Sequence, residues 1–525
     1  MSKQTFLKGT FILIIAGLVT RFLGFVNKIV VARIMGAEGV GLYAMAVPTL
    51  LLVITITQLG LPVAISKLVA EAGASGNKRR IKQILVVSLF LTSILSVIFT
   101  FGMVTFAPVI ASTFLTDARA YWPLIAIAPI VPIVALSSVM RGYFQGLQNM
   151  KPTAYSQVIE QLVRITLVAV FTSAFLPMGV EYAAAGAMIS VVFGELASLL
   201  YMIFMFKGHK QFRIRRAFFQ QLREGKQTFR DLMSIALPTT GSRLVGSISF
   251  FFEPIVVAQS LALAGVTTVI ATQQYGELAG FVIPLLMLPT FITYSLSVSL
   301  VPAISEAAAQ KRFSLIHHRL GQALRLAMIS GGISIVILYV YAEPIMQLMY
   351  NAPSVAAYVK AMAPFTIFLY FQGPLQAALQ ALNLAKAAMM NSLVGAIVKI
   401  AAIFALTTRP ELGIMGTALA IAIGFILVTM LHFASVVKTI SFSINMRLTL
   451  KVILLLLVTT CVSTLLFEHA FLHQSLFSKT LSSIGISGAV YSFLALTLGL
   501  IKKEEVNRVP YIGRWLSLMV PSVKG

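Results

Sequence analysis

An all-α membrane protein of about fourteen transmembrane helices is the fold class this sequence predicts, and three observations predict it. A mean hydropathy of +0.93 and a charged fraction of 11%, against roughly 25% in soluble domains, leave too little polar surface to cover a water-soluble fold of 525 residues. Apolar stretches of the ~20 residues a bilayer crossing needs recur along the whole chain. Basic residues gather in every second connection, as cytoplasmic loops require.

The first span covers about 6–34. Its apolar run contains Arg21 and no small-residue cleavage site follows a short core, so it reads as a span and not a secretory signal. Further spans fall at about 40–70, 82–111, 120–146, 152–176 and 182–206. After a basic segment come 230–260, 271–304, 315–340, 354–383, 386–408, 412–437, 447–468 and 478–501. Prolines inside several of them, among them Pro48, Pro129, Pro284 and Pro364, break backbone hydrogen bonds and mark places where a span can bend.

Charge in the connections orients the chain. One set carries Lys78, Arg79, Arg80 and Lys82, then Lys207, Lys210, Arg213, Arg215 and Arg216, then Lys311, Arg312 and Arg319, then Lys438, Arg447 and Lys451. The alternate set is short and poor in basic residues: Glu38, Asp117 with Arg119, Glu181, Glu343, Arg409 with Glu411, Glu468 with Lys479. Both termini are therefore expected in the cytoplasm of a multi-pass cell-membrane protein. A single missed span would invert half of this alternation. Most of the net charge of +24 is this bias, so nucleic acid is not an expected partner.

Several chemistries are disfavoured. Cys461 is the only cysteine, and aspartate occurs only at Asp117 and Asp231. No disulfide framework, cysteine metal site or clustered carboxylate set for a magnesium-dependent transferase is present. No G-x-x-x-x-G-K-[ST] loop would hold a nucleotide. Neither an enzyme, a metal site nor a cofactor is expected.

The sequence repeats itself at an offset near 235 residues. Ala128-Pro129 matches Ala363-Pro364, and Arg164 matches Lys399 in the same register. Ala64-Ile65-Ser66 matches Ala303-Ile304-Ser305, and Gly186 and Gly194 match Gly416 and Gly424. Six spans separate the members of each pair, so the repeat is parallel. The expected organisation is a six-helix lobe at 1–206, a basic cytoplasmic inter-lobe loop at 207–229, and a second six-helix lobe at 230–437. Two added spans at 438–501 and a cytoplasmic tail at 502–525 complete it. The lobes are expected to be pseudo-symmetric around a central cavity, with substrate between them.

A cation at the centre of a span costs ~2.5–3.5 kcal/mol on insertion scales, and such residues persist where they meet water or a partner. Arg21 and Lys28 lie seven residues apart, on one stripe of the first span with Gly17 and Gly24. Asn27 adjoins Lys28. Arg243 lies near Gly246 in the seventh span, with Glu253 and Pro254 further along; an Arg243–Glu253 pair holding a bent helix is the plain alternative to a cavity role. Gln273, Glu277, Gly280 and Pro284 form a polar stripe beside a kink in the eighth. Lys399 shares a stripe with Asn391, Ser392 and Gly395. Arg21, Lys28, Asn27, Arg243, Gln273, Glu277 and Lys399 are the candidate substrate-binding residues. Glu160 and Arg164, an i, i+4 pair, are charges of structural or coupling role, as is Glu253. Glu195 has no partner legible in the sequence.

The segment from Arg21 to Ala37, the stretch Gly39–Ala72 and the turn from Arg141 through Gly-Tyr-Phe-Gln-Gly-Leu-Gln-Asn-Met-Lys-Pro-Thr to Ala154 resemble the polysaccharide and lipid II flippases of the multidrug/oligosaccharidyl-lipid/polysaccharide exporter superfamily. With the span count, the likeness covers the whole chain. It implies two six-helix lobes around a cavity that opens alternately to either side, and transport of peptidoglycan precursor for the spore cortex in the membranes around the forespore. Lipid II flippases place arginines in the cavity from spans one, two and eight. Arg21 matches the first of these; the next position holds Asn27, beside Lys28, and the second-span position is Leu52, which cannot bind phosphate. The cationic site is thinner than the family's.

Three readings compete. A flippase for an undecaprenyl-pyrophosphate-linked saccharide would use the cations to hold pyrophosphate in low dielectric. A cation-coupled multidrug antiporter would use Glu160, Glu253 or Glu277. A non-transporting scaffold would recruit cell-wall synthesis enzymes and anionic membrane lipids through its basic loops.

Overall fold

The computed structural model describes residues 3–209, 218–443 and 445–501. Lys210, Arg213, Arg215 and Arg216 of the expected inter-lobe loop, and the expected tail at 502–525, lie outside the described residues. The protein is an all-helical, multi-pass membrane protein, with no strand among the described residues.

Among the described residues, thirteen helical runs are long and apolar enough to cross a membrane. The first, Ile15–Ala74, has 60 residues, about 90 Å at 1.5 Å per residue and so three times a ~30 Å hydrocarbon core. It holds both the first and the second expected span, so thirteen runs supply fourteen crossings. Gly36 bends it, with φ 67° and ψ −174°, a backbone state open to glycine and strained for other residues.

Cα packing separates two compact units, residues 1–281 with 407–414, and residues 282–406 with 415–525. The first contains α1 (Lys3–Gln58), α2 (Leu61–Ala74), α3 (Lys78–Val109), α4 (Tyr121–Ile127) and α5 (Ile130–Gly146). It continues with α6 (Lys151–Phe175), α7 (Val180–His209), α8 (Phe218–Arg223), α9 (Lys226–Leu263) and α10 (Thr268–Gly276). Asn77 starts α3 by accepting the Arg80 amide at 2.9 Å, the usual N-cap geometry. A core of Leu61, Ile65, Ile84, Tyr143, Phe144 and Met202 also takes in Leu232 and Ala236 from the start of α9.

The second unit begins within a π-helical segment, Glu277–Val282, and contains α11 (Ile283–Met287), α12 (Thr290–Ala309), α13 (Phe313–Val340), α14 (Ala342–Tyr350) and α15 (Ala356–Met362). Then come α16 (Thr366–Ala381), α17 (Ala385–Thr407), α18 (Ile414–Ile440), α19 (Met446–His469) and α20 (Leu476–Thr497). The expected eighth span, 271–304, is thus not one helix. It is broken into α10, the π segment, α11 and α12, because Pro284 and Pro289 bring no amide donors to the helical ladder. The last two helices dock on the unit through hydroxyls: Tyr341 Oη lies 2.7 Å from Ser487 Oγ, and Ser463 donates to Ser487 at 2.8 Å.

The repeat is visible in side-chain contacts. A Cβ at Gly194 of α7 would stand 3.3 Å from Arg164 Cβ of α6, and one at Gly424 of α18 would stand 3.3 Å from Lys399 Cβ of α17. These are the pairs the offset matched. Likewise α2 crosses α5 where a Cβ at Gly146 would stand 2.7 Å from the Ser66 carbonyl, and α12 meets α16 where Ser305 Oγ reaches the Ala381 carbonyl at 3.5 Å.

Candidate substrate-binding site

Six of the seven candidate residues fall in the first unit. On α1, Arg21 and Lys28 are exposed, and their stripe is open: a Cβ at Gly17 would meet nothing within 4 Å, and one at Gly24 only Gln161 Oε1, at 3.9 Å. Asn27 turns the other way, 6% exposed, with Oδ1 buried and lacking a hydrogen-bond partner among the described residues. On α9, Arg243 is exposed, and Gly241 and Gly246 likewise face open space. Ser247 ties this stretch to α1, its Oγ 2.7 Å from Thr55 Oγ1. Gln273 is exposed and donates to Glu277 Oε1 at 3.2 Å; Glu277 opens the π segment. Cations therefore stand exposed on two helices that pack on each other.

Two expectations are corrected. Arg243 and Glu253 do not pair, because ten residues along one helix separate them by about 15 Å. The stripe bearing Lys399 does not face a cavity along its length. Asn391 donates to the Leu431 carbonyl at 3.1 Å and to Ser435 Oγ at 2.9 Å on α18, and a Cβ at Gly395 would collide with Val428. Lys399 itself is half-buried, its stem laid over Gly424, in the second unit.

Glu160 and Arg164 pair at 2.5 Å as i, i+4 neighbours. Glu195 has a partner after all: Arg141 of α5 reaches it at 2.7 Å and Glu160 at 3.6 Å. Four charges thus join α5, α6 and α7, with the Glu195 side chain 5% exposed. Arg141 stood unnoticed within a turn motif, because its partners are 19 and 54 residues away in sequence.

The two aspartates anchor networks at opposite ends of the first unit. Asp231 of α9 pairs with Arg80 of α3, which also donates to Thr228 Oγ1 at 2.7 Å. Asp117, 3% exposed, accepts from Thr272 of α10 at 2.7 Å and from Arg119 Nη2 at 2.9 Å. Arg119 also reaches Glu38 of α1 at 2.5 Å. Burial alone pushes the Asp117 carboxyl up, but hydrogen bonds from Arg119 and Thr272 outweigh it and hold the group below the ordinary carboxylate range. The scarcity of aspartate was the one sequence signal for both networks.

The second unit contains a cavity of about 1520 Å³ bounded by α13, α16, α18 and α19. Along α13 it runs from Leu315 to Tyr339, about 36 Å. Its walls are mostly apolar, with Met328, Phe368, Phe371, Phe433 and Leu456. At one end stand His317, His318, Arg319 and Asn445; Arg325, further along, is 6% exposed and donates to the Leu500 carbonyl at 2.9 Å.

With this arrangement established, the comparisons place the chain. Residues 6–308 match the family described as "Polysaccharide biosynthesis protein", and residues 277–404 match MatE. The chain belongs to the polysaccharide biosynthesis protein family. It is 58% identical to Stage V sporulation protein B of Bacillus subtilis (strain 168), over 98% of this chain and 99% of that one. It is 23% identical to Lipid II flippase MurJ of the same organism, over 96% and 97% of the two chains. A solved structure of Lipid II flippase MurJ in an inward closed conformation shares the fold, with TM-score 0.67, 17% identity and coverage of 92% and 97%.

Proposed function

We propose that this protein carries an anionic lipid-linked saccharide, an undecaprenyl-pyrophosphate-linked peptidoglycan or polysaccharide precursor, across the cytoplasmic membrane by alternating access. The observation that carries the reading is the 1520 Å³ cavity of the second unit. An apolar trough about 36 Å long, with cationic and polar groups at one end, has the form of a site for a long hydrocarbon tail joined to an anionic head. A compact drug molecule has no use for such length. In the first unit, exposed Arg21, Lys28 and Arg243 are a separate set of cations that would bind pyrophosphate, with Gln273 and Glu277 placed for the sugar and Asn27 behind them. The names of its relatives support the same reading, including a role in sporulation and hence in cortex synthesis. In this reading the basic connections and both termini are cytoplasmic, the repeat-defined lobes 1–206 and 230–437 are the moving bodies, and no catalytic step is involved.

A second reading, cation-coupled antiport, has the MatE match over 277–404 in its favour; Glu160 and Glu253 are then the coupling carboxylates. Mass spectrometry of undecaprenyl-linked precursors in sporulating cells separates the two. Cells lacking the protein should accumulate precursor, and wild type but not Arg21→Ala should clear it. Unchanged precursor levels in all three strains, with redundant carriers removed, would move the assignment to the antiporter.

A further inference from the structure

We propose that α10 is a hinged lid, which swings off α1 about the π-helical segment Glu277–Val282 when the protein opens on the face opposite the basic loops. Three independent features of the first unit support it. The nine-residue helix is bounded at both ends by pliable backbone. At one end Gly265 has φ 82° and open space around it. At the other the chain passes into the π turns of Glu277–Val282, a local widening that relaxes to α-helix by release of one residue.

The seat of the lid is made for close but separable contact. A Cβ at Gly41 of α1 would collide with the Thr272 carbonyl, and one at Gly276 would collide with the Ala37 carbonyl. Two glycine faces meet there, and beside them Val40 of α1 packs against Gly280 of the π segment. The clasp is polar: Thr272 donates to the buried Asp117 at 2.7 Å, and Asp117 is itself held by Arg119, which is held by Glu38. Only one hydrogen bond of that network must part for α10 to leave, because the Asp117–Arg119–Glu38 ion pairs do not involve it. A seat of glycine contacts under a single charge-assisted bond suits a part that opens and recloses.

The lid rests on the transport reading for its purpose but is tested without any substrate. In a Cys461→Ala background, Ala271→Cys places a thiol on the buried side of α10, where Ala271 is 4% exposed. Labelling by a membrane-impermeant maleimide in intact cells then reports opening. Slow labelling is expected, accelerated about tenfold by Thr272→Val, which removes the charge-assisted clasp bond and keeps the side-chain shape. Deleting Ala279 to convert the π segment to α-helix should slow labelling below the parent rate even in the Thr272→Val chain. Equal rates in the parent and Thr272→Val would overturn the clasp, and acceleration that survives the deletion would overturn the hinge. Should flipping of lipid-linked saccharide fail while both labelling effects hold, the lid stands and the substrate assignment falls.

Discussion

Arg141 and Glu195 carry opposite charges into the packing of α5, α6 and α7, where neither would be tolerated alone. Their 2.7 Å contact, with Glu160 bridging to Arg164, keeps the network neutral as two cations and two anions. Breaking a buried pair from one side leaves an uncompensated charge and costs about 3–5 kcal/mol. Glu195→Gln should therefore lower the detergent-solubilised melting temperature by several degrees. Arg141→Met/Glu195→Met, which removes both partners, should restore most of the loss; a double variant as unstable as the single would contradict the pairing. Such residues also show where sequence reading stopped. The Glu160–Arg164 pair was legible because four residues on a helix bring side chains together. Arg141 with Glu195, and Asp117 with Thr272, are joined only by tertiary packing, and no periodicity announces them. Asn27 was assigned to the cationic stripe through its neighbour Lys28, yet one position is 100° around a helix, enough to bury it.

Helices pair in this fold through small residues. Without a hydrophobic drive between apolar surfaces in lipid, close backbone approach and interhelical hydrogen bonds do the holding. Gly194 shows it best: a Cβ there would stand 2.9 Å from the Glu160 carbonyl and 3.3 Å from Arg164 Cβ. Gly194→Leu should force α6 and α7 apart and destabilise the protein by about 1–3 kcal/mol or more. Gly102→Leu on α3, where a Cβ meets nothing within 4 Å, should leave thermal stability unchanged. Similar losses in both would mean that general helix crowding, and not this contact, matters. The glycine repeat was readable as a pattern, but which neighbour each glycine served was not, since contact partners follow from helix crossing. The eighth span was the element read least well. Its apolar length suggested one helix, while the prolines and the π turns divide it in four.

At the scale of the whole chain, hydropathy and loop charge were enough for the membrane class and for fourteen crossings, because the bilayer fixes both the length and the composition of a span. The parallel repeat was also legible, and Gly194–Arg164 and Gly424–Lys399 realise it in space. The apolar trough was not. Its lining comes from α13, α16, α18 and α19, which meet only through tertiary packing, so the sequence of each helix does not announce a shared wall. That trough in the second unit and, independently, the exposed cations of α1 and α9 in the first support the central claim that the protein moves an anionic head on a polyprenyl tail. Reconstituting the purified protein in liposomes with a fluorescent undecaprenyl-pyrophosphate-linked saccharide tests it most directly, by the fraction of label that an impermeant quencher reaches over time. Wild type should bring label from the shielded to the quenched leaflet, while Arg21→Glu, inserted to the same level, should do so at least about tenfold more slowly, as loss of one charge-assisted phosphate contact implies. Full activity in Arg21→Glu, or no movement of label by wild type, would contradict it.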